Sequence, residues 1–460
     1  MYRHNRKIDR SYKKPFFNRR QRGSGRLVVI AVLVLLIITI PAVILAQRST
    51  LELATLEYFD IAPTPTPYAG ERATLAEEAY RNGDIDTAAL LYQQAVEQQP
   101  TNIAYMYEYG FVLIELNRNT EAREIGDRII ELAPNDPRGY ALKANSIAWQ
   151  NPTEAIPAAV EGRELNNNFA PLWASLSLSY TRIGRYTEAL RAGSFAIELD
   201  PSNANARRNY SYPLIFTGNY SEAIRQLEQA IAINPNIVGP YFELASLYRN
   251  PAINQPEVSV AIYLEILNLE PNNERAYLRL CETYAAVGLF QEAEVYCDSA
   301  LEIDPEYTSA HRMRGQLRYS RRNYEGAIQS FQMCYLLTVE EQLDIEIIDP
   351  LVIETQPNIN IGLIEEQVNR NEVDMNALEI ECIYVRGLAH YFLGDASNTN
   401  CESAWNWLNI ALNHPQAVDS VQENILQGLS NTTVNCPGYS GRQLPTPMPP
   451  TPIPPTPIGG

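Results

Sequence analysis

The chain of 460 residues has room for two or three ordinary domains, but its charge divides it more sharply than its length does. Residues 1–26 hold 10 of the 36 Lys and Arg residues and one acidic residue, so this head carries +9 and the remaining 434 residues carry −27. A nucleic-acid-binding surface needs clustered cations, so this acidic body excludes DNA and RNA as expected partners. With only four histidines, we also expect no bound metal.

An uncharged apolar segment follows the basic head, at residues 27–46. As a helix rising about 1.5 Å per residue it would span roughly 30 Å, the thickness of a bilayer's hydrocarbon core. Since the basic residues precede it, the positive-inside rule predicts a single-pass membrane protein with a cytoplasmic head, residues 1–26, and all that follows Gln47 on the extracytoplasmic side. A cleaved signal peptide is the alternative, although this apolar run is longer than such signals need.

Proline and threonine mark both ends of the region beyond this predicted anchor. Juxtamembrane residues 47–68 include the sequence APTPTP at 62–67, which we expect to form a stiff, extended linker. Residues 437–460 end in a proline-rich pentapeptide repeat, which cannot bury a core and is predicted to be a disordered tail. A docking ligand for polyproline-binding grooves and a glycosylated stalk are the alternatives for this tail.

Proline spacing indicates an internal repeat between these two segments. Successive prolines are separated by 34, 67, 34, 36 and 34 residues, and the gap of 67 fits two units with one proline missing. Because proline lacks an amide donor and clashes with the preceding turn, each is expected to follow the end of a helix. These prolines are Pro100, Pro134, Pro201, Pro235, Pro271 and Pro305.

Small residues recur in register with four of these prolines. One unit carries Ala88, Ala95 and Pro100, and three other units repeat this spacing. The two alanines lie two helical turns apart on one face, where their small side chains allow a neighbouring helix to pack closely. A glycine such as Gly83 lies five residues before the first alanine, and it accepts the positive φ that often ends a helix. Each unit is therefore predicted to be a helical hairpin.

This pattern resembles the tetratricopeptide repeat. The resemblance covers residues 69–340 as eight repeats and implies an all-α fold, a right-handed superhelical solenoid of helix-turn-helix repeats. The predicted N-terminal transmembrane helix precedes this solenoid. The third unit departs from the pattern, because it lacks the closing proline and carries Pro152 and Pro157. One full copy of the signature is formed by Trp173, Leu176, Tyr180, Gly184, Tyr186, Ala189, Ala196 and Pro201.

The repeat pattern breaks after the eighth unit. Residues 341–374 are predicted to be an acidic insertion, in which Leu343, Ile345 and Ile347 alternate with acidic residues as in a short strand or an extended loop. Hairpin character returns in residues 375–436, which we expect to form a degenerate terminal repeat and a capping helix. Such a cap covers the apolar face that the last repeat of a solenoid would expose.

All six cysteines lie beyond the predicted anchor, and none forms the Cys-x-x-Cys pair typical of metal sites. The hairpin register places Cys281 and Cys297 on the two facing helices of the seventh unit, which predicts a disulfide between them. Of the other four candidates, Cys334 lies at the end of one hairpin and Cys382 at the start of the next. Cys401 and Cys436 lie in the predicted cap, where a bond between them would fix it in place. Six buried apolar thiols are the alternative.

Catalytic motifs do not accompany the repeats. The sequence lacks the nucleophile-elbow, zinc-protease, phosphate-loop and dinucleotide-binding motifs, so we expect neither an enzymatic activity nor a cofactor. His311 and His390 fall at packing positions of predicted helices and are expected to be core or groove residues.

The resemblance implies binding in a concave groove lined by the first helix of each hairpin. Aromatic rings and amides at the groove positions suit an extended peptide, because rings pack its side chains and amides bond its backbone. Burial between helices is the alternative for each aromatic residue. The candidate peptide-binding residues are Tyr107, Phe111, Asn145, Trp149, Arg182, Arg208, Tyr212, Phe242, Glu282, Arg312 and Gln316.

We therefore expect a membrane-anchored extracytoplasmic scaffold for a protein or peptide, and the charge of −27 favours a neutral or basic partner. Some family members hold a C-terminal carboxylate with a Lys and Asn pair, which is not reproduced here, since Lys143 is the only lysine after residue 26. The alternatives are a structural or ligand-binding envelope protein tethered to wall polymer and a cytoplasmic-facing adaptor. Exchange of Arg208 and Arg312 for Glu is expected to weaken binding without lowering the melting temperature.

Overall fold

The computed structural model describes residues 68–343, 376–394, 399–414 and 419–445, and all regular secondary structure in these segments is helical. From Ala69 onward the described residues belong to one compact unit. The first sixteen helices of these residues form eight successive hairpins. They are α1 (Ala69–Arg81) with α2 (Ile85–Gln98), α3 (Ile103–Glu115) with α4 (Asn119–Leu132), α5 (Pro137–Ile147) with α6 (Pro152–Leu165), α7 (Ala170–Arg182) with α8 (Tyr186–Leu199), α9 (Ala204–Phe216) with α10 (Tyr220–Ile233), α11 (Gly239–Arg249) with α12 (Pro256–Leu269), α13 (Glu274–Ala286) with α14 (Phe290–Ile303), and α15 (Thr308–Ser320) with α16 (Tyr324–Leu343).

Glycine or a residue in the same backbone conformation joins most of these helix pairs. Gly184, between α7 and α8, has a φ of 76°, as its position in the repeat pattern predicts. Three hairpins without the glycine reach the same left-handed region through Asn117, Asn254 and Arg322, with φ of 60°, 53° and 62°. Asn tolerates this conformation better than most residues, so two of these three replacements are conservative in backbone terms.

The alanine and proline pattern corresponds to the packing of the second helices. Ala88 and Ala95 of α2 are fully buried, so the small face lies against a neighbouring helix. Pro100 follows the end of α2 by two residues, and an asparagine, Asn102, then caps α3 by accepting from the amide of Ala104. In the irregular third unit, Pro152 begins α6 and Pro157 lies inside it, within a single helix of 14 residues.

The C-terminal part of the described chain forms a ninth hairpin and a last helix. These are α17 (Ala377–Leu393), α18 (Thr399–Asn413) and α19 (Asp419–Asn435). Their apolar core includes Trp407 and, from α16, Tyr335 and Phe331. Helix α16 continues to Leu343, so this residue is helical and not part of the expected strand or loop; the rest of that alternating stretch lies outside the described residues.

The residues after α19 also differ from the sequence-based expectation. Tyr439, placed in the predicted disordered tail, is buried and packs against Trp405 with ring centroids 5.6 Å apart. Arg442 lies 4.0 Å above the Tyr439 ring. Tyr439 and Arg442 therefore pack against the cap, although they lie in the segment predicted to be a tail.

The structure brings the six cysteines together in three pairs. Cys281 of α13 and Cys297 of α14 are joined within one hairpin, the pair expected from the register, at an S–S distance of 2.07 Å. The remaining pairs join α16 to α17 and α18 to the end of α19; they are Cys334–Cys382 and Cys401–Cys436. The predicted anchor, residues 27–46, lies outside the described residues, and none of the helices inside them is long and apolar enough to cross a membrane.

Candidate functional site

The first helices of neighbouring hairpins lie side by side, α3 against α5, α5 against α7 and α7 against α9. The surface that these first helices form around Tyr107, Asn145, Trp149, Arg208 and Tyr212 is here named the inner surface. Aromatic residues contact each other along it: Trp149, just after α5, meets Tyr212 of α9 edge to face with ring centroids 5.1 Å apart. Tyr107 of α3 lies 6.2 Å from the ring of Phe169, which precedes α7.

The chain returns to its first hairpin after five hairpins. Asn236, in the loop between α10 and α11, donates from Nδ2 to the carbonyl oxygen of Arg81 at 2.8 Å, across 155 residues of sequence. On the inner surface, Arg208 Nη1 of α9 lies 3.5 Å from Glu115 Oε2 of α3. These two contacts join the first two hairpins to the fifth hairpin and to the loop that follows it.

Two cavities flank the contact between Arg208 and Glu115. The first cavity, of about 760 Å³, lies between α1, α3 and the loops that precede α9 and α11. The second cavity, of about 1030 Å³, lies between the turn after α1, helix α9 and the loop that precedes α13. Arg208 and Glu115 line both, so their ion pair lies where the two cavities meet.

Two carboxylates hold Arg208 in place. Its Nη2 lies 2.6 Å from Glu243 Oε1, and Tyr212 donates its hydroxyl to the same oxygen at 2.9 Å. Burial raises the pKa of Glu115, and Arg208 opposes this rise. Burial lowers the pKa of Arg208, but Glu243, Tyr212 and Glu115 raise it more, so the guanidinium stays charged. Arg208 is therefore paired within the chain already.

A third cavity, of about 620 Å³, lies further along the chain, between α13, α15 and α17. Glu282 of α13 accepts from Arg249 Nη1 at 3.0 Å. Glu381 of α17 lies 3.6 Å from Arg312 and accepts from Gln316 Nε2 at 2.5 Å. Three residues expected at the groove are thus engaged in polar contacts within the chain.

The structure places ten of the eleven candidate residues along these three cavities. Arg182 is the exception, and its guanidinium lies 5.0 Å above the Trp149 ring. The first cavity has Tyr107, Phe111, Asn145 and Arg208; the second has Asn145, Trp149, Arg208, Tyr212 and Phe242; the third has Glu282, Arg312 and Gln316.

Sequence reasoning missed Glu115 and Glu243, which pair with Arg208, and it named Glu282 without its partner Arg249. Glu243 lies 35 residues after Arg208, and Glu282 lies 33 after Arg249, about one repeat in each case. Opposite charges one repeat apart on first helices are a signal that could have predicted both pairs. Glu115 lies 93 residues from Arg208, which is not a multiple of the repeat, so spacing carries no signal for this contact.

In the described part of the chain, His311 and His390 line none of the three cavities. That part holds no group of three or more His, Cys, Asp or Glu residues able to bind a metal ion. His311 Nε2 lies 2.8 Å from the carbonyl oxygen of Pro305, between two successive hairpins. Burial lowers the pKa of His390 to about 4, and its Nδ1 lies 3.0 Å from Asn400 Oδ1.

Comparison with known proteins identifies the repeat. Two family models, both described as tetratricopeptide repeat, match residues 79–145 and 175–236. The chain contains tetratricopeptide repeats. The two matched ranges fall on hairpins one to three and four to five, which supply most of the residues that line the first two cavities.

Curated proteins with similar repeats are distant relatives. The Hsp70-Hsp90 organizing protein of Triticum aestivum is 22% identical over 256 residues, which cover 55% of this chain and 38% of that protein. The TPR repeat-containing protein YpiA of Bacillus subtilis is 22% identical over 231 residues, which cover 48% and 53%. The chain spans about two fifths of the length of the first curated relatives that it matches.

A solved structure also aligns with the chain. The crystal structure of the APC/C hetero-tetramer Cut9-Hcn1 covers 78% of this chain and 67% of the matched chain, with 13% identity and a TM-score of 0.47.

Proposed function

We propose that this protein is an interaction scaffold that binds a segment of a partner protein along the inner surface of its tetratricopeptide repeats. The observation that carries the proposal is the series of three cavities, of about 760, 1030 and 620 Å³, along that surface. Cavities of several hundred Å³ suit ligand groups the size of a few side chains. Two stretches of the chain match models of the tetratricopeptide repeat, and one curated relative, YpiA of Bacillus subtilis, is named as a TPR repeat-containing protein.

An extended segment fits this surface better than a folded one. The first two cavities meet at the ion pair of Arg208 and Glu115, so a ligand that occupies both must be narrow there. Asn145 lines both cavities, and no other side chain of the described residues bonds its amide. A side-chain amide both donates and accepts, which suits the alternating groups of a peptide backbone.

The charges along the inner surface favour a neutral or basic segment. Arg312, which lines the third cavity, lies 3.6 Å from Glu381. Arg208 is shared between Glu243 and Glu115. Arg275 lies over the Phe242 ring in the second cavity, but six carboxylates line that cavity against two guanidinium groups, so an acidic segment would meet an excess of negative charge.

Site-specific crosslinking in the full-length protein tests this proposal. A photoreactive phenylalanine analogue replaces either Phe111, which lines the first cavity, or Phe216, a 59%-exposed residue outside all three cavities. We expect members of a random peptide library to crosslink at position 111 and not at the control position. Crosslinking at 216 alone, or equally at both, would refute binding at the inner surface.

We further propose that the scaffold is held on the extracytoplasmic face of a membrane by residues 27–46. The basic head before this segment supports that orientation, and so do the three cysteine pairs, since disulfides persist in oxidising compartments. An impermeant maleimide, applied to intact cells with and without reductant, tests it. Labelling that appears only after reduction supports this location. Free thiols that react only after permeabilisation would replace it with a cytoplasmic adaptor.

A further inference from the structure

We infer that the first cavity takes a basic side chain, lysine or arginine, of the bound segment. This inference rests on the proposed function and names the chemistry of one ligand position. It is drawn from the charges, the spacing on α3 and the aromatic walls of that cavity.

Negative charge exceeds positive charge in the first cavity. Four carboxylates and two guanidinium groups line it. One guanidinium, Arg81, pairs with Glu77 one turn before it on α1. The other, Arg208, has its shorter contact with Glu243, which lies outside the first cavity. The walls therefore hold two carboxylates more than guanidinium groups, and part of the positive charge is engaged elsewhere.

Glu108 of α3 is the carboxylate that most clearly lacks a counter-charge. Within the described part of the chain, no side chain bonds to it or forms an ion pair with it. Burial raises its pKa, Glu77 adds to the rise, and Arg138 only partly opposes it because that guanidinium pairs with Asp136 at 2.6 Å. Glu108 is exposed to solvent in the open cavity, so a cation can reach it, and a cation bound beside it would lower this pKa.

Aromatic rings stand next to this carboxylate. Phe111 lies three residues after Glu108 and four after Tyr107, and side chains at these spacings lie on the same face of a helix. The Phe111 ring meets Tyr80 of α1 edge to face, with centroids 5.9 Å apart. Both rings and Tyr107 line the cavity. Rings with a nearby carboxylate suit a lysine or arginine, whose apolar stem packs on the rings while its charged end meets the carboxylate.

Other occupants fit the cavity less well. An acidic side chain would be repelled by the carboxylates, and an apolar side chain would bury Glu108 further without a partner. A metal ion is disfavoured, because the described residues include no group of three or more His, Cys, Asp or Glu side chains close enough to hold one. Charge complementarity thus selects a basic side chain.

A matched pair of substitutions in the full-length protein tests the inference. Glu108→Gln removes the cavity charge, and Glu78→Gln removes the charge of an exposed α1 residue that does not line the cavity. The probes are blocked peptides selected on the wild-type protein from a random library, each made with arginine and with citrulline at its basic position. Citrulline keeps the shape of arginine without its charge, so the comparison isolates the charge.

We expect the selected peptides to carry Lys or Arg at one fixed position. Citrulline there should weaken binding to the wild type and to Glu78→Gln by at least about ten-fold, and to Glu108→Gln by less than about two-fold. Equal losses on all three proteins, or selected peptides without a fixed basic position, would overturn the inference and leave the proposed function standing. Failure of the wild type to select any peptide would refute the proposed function itself, and the inference with it.

Discussion

Arg208 is the residue whose removal should show most clearly how the inner surface is held together. It lies between Glu243 at 2.6 Å and Glu115 at 3.5 Å, with 25% of its side chain exposed and 14% and 13% of theirs. Arg208→Met keeps most of the apolar stem and removes the charge. Both carboxylates then remain buried without a cation, which is the costly outcome for such a cluster.

The size of the effect follows from this burial. Breaking a fully buried ion pair from one side costs about 3–5 kcal/mol. All three side chains retain some exposure, so water offsets part of this cost, and we expect a loss of about 2–3 kcal/mol in the free energy of unfolding. Arg225, an exposed residue paired with Glu222 on α10, supplies the control: Arg225→Met should cost less than about 0.5 kcal/mol.

The loss of stability in Arg208→Met should also depend on pH, which gives a second and independent test. Burial already raises the pKa of Glu115 and Arg208 lowers it, so losing Arg208 raises that pKa further. A carboxyl group whose pKa is higher in the folded state binds its proton more tightly when folded, so protonation stabilises the fold as the pH falls. The stability deficit of Arg208→Met should therefore be complete at pH 8 and shrink as the pH falls toward 5.

Urea unfolding at several pH values measures both effects. Far-UV circular dichroism follows the helices, and tryptophan fluorescence reports locally, because Trp149 packs against Tyr212 beside the cluster. Adding Glu115→Gln and Glu243→Gln to Arg208→Met removes the stranded charges and should restore most of the stability. A deficit no larger than that of the control, or one that does not change with pH, would refute this account.

Three further substitutions test other contacts by urea unfolding. Gly83→Ala and Gly218→Ala both place a side chain at positive φ, which costs about 1 kcal/mol or more. Only the Cβ at 83 would lie 2.6 Å from a backbone oxygen of the loop after α10, so Gly83→Ala should cost more. Equal losses would argue against the contact between the first hairpin and that loop. Replacing Cys281 and Cys297 together by Ala should cost about 3 kcal/mol if their bond is formed, whereas a negligible loss would mean free thiols. Asn376→Ala removes the capping box of α17 and should cost about 1 kcal/mol, with faster amide exchange in its first turn; unchanged exchange would contradict it.

Features that repeat along the chain could be predicted from the sequence. The Ala88, Ala95 and Pro100 pattern predicted a close-packed second helix and its end because each residue acts locally, within two or three helical turns. Hairpins without the glycine were harder. Asn117 takes up positive φ as asparagine often does, but Arg322 does so without any compositional signal.

Features that depend on the accumulated geometry could not be predicted. The separation of Arg208 and Glu115 depends on small rotations added over three hairpins, and no local pattern specifies their sum. The sequence predicted that glutamate at positions 208 and 312 weakens binding without lowering the melting temperature, and the structure changes the second part of this prediction. Arg208 is held by two carboxylates, and Arg312 lies 3.6 Å from Glu381, so both exchanges would also place like charges together and lower stability.

The return of the chain to its first hairpin also bears on how a ligand enters. The hydrogen bond between Asn236 and Arg81 and the long ion pair between Arg208 and Glu115 are polar contacts, each contributing roughly 0.5–1.5 kcal/mol net, whereas the hairpins themselves are held by buried apolar cores. Separating the first two hairpins from the fifth therefore costs far less than unfolding a hairpin. A segment bound in the first cavity touches both of its walls, α3 and the loop before α11, so binding and closure must stabilise each other by the same free energy.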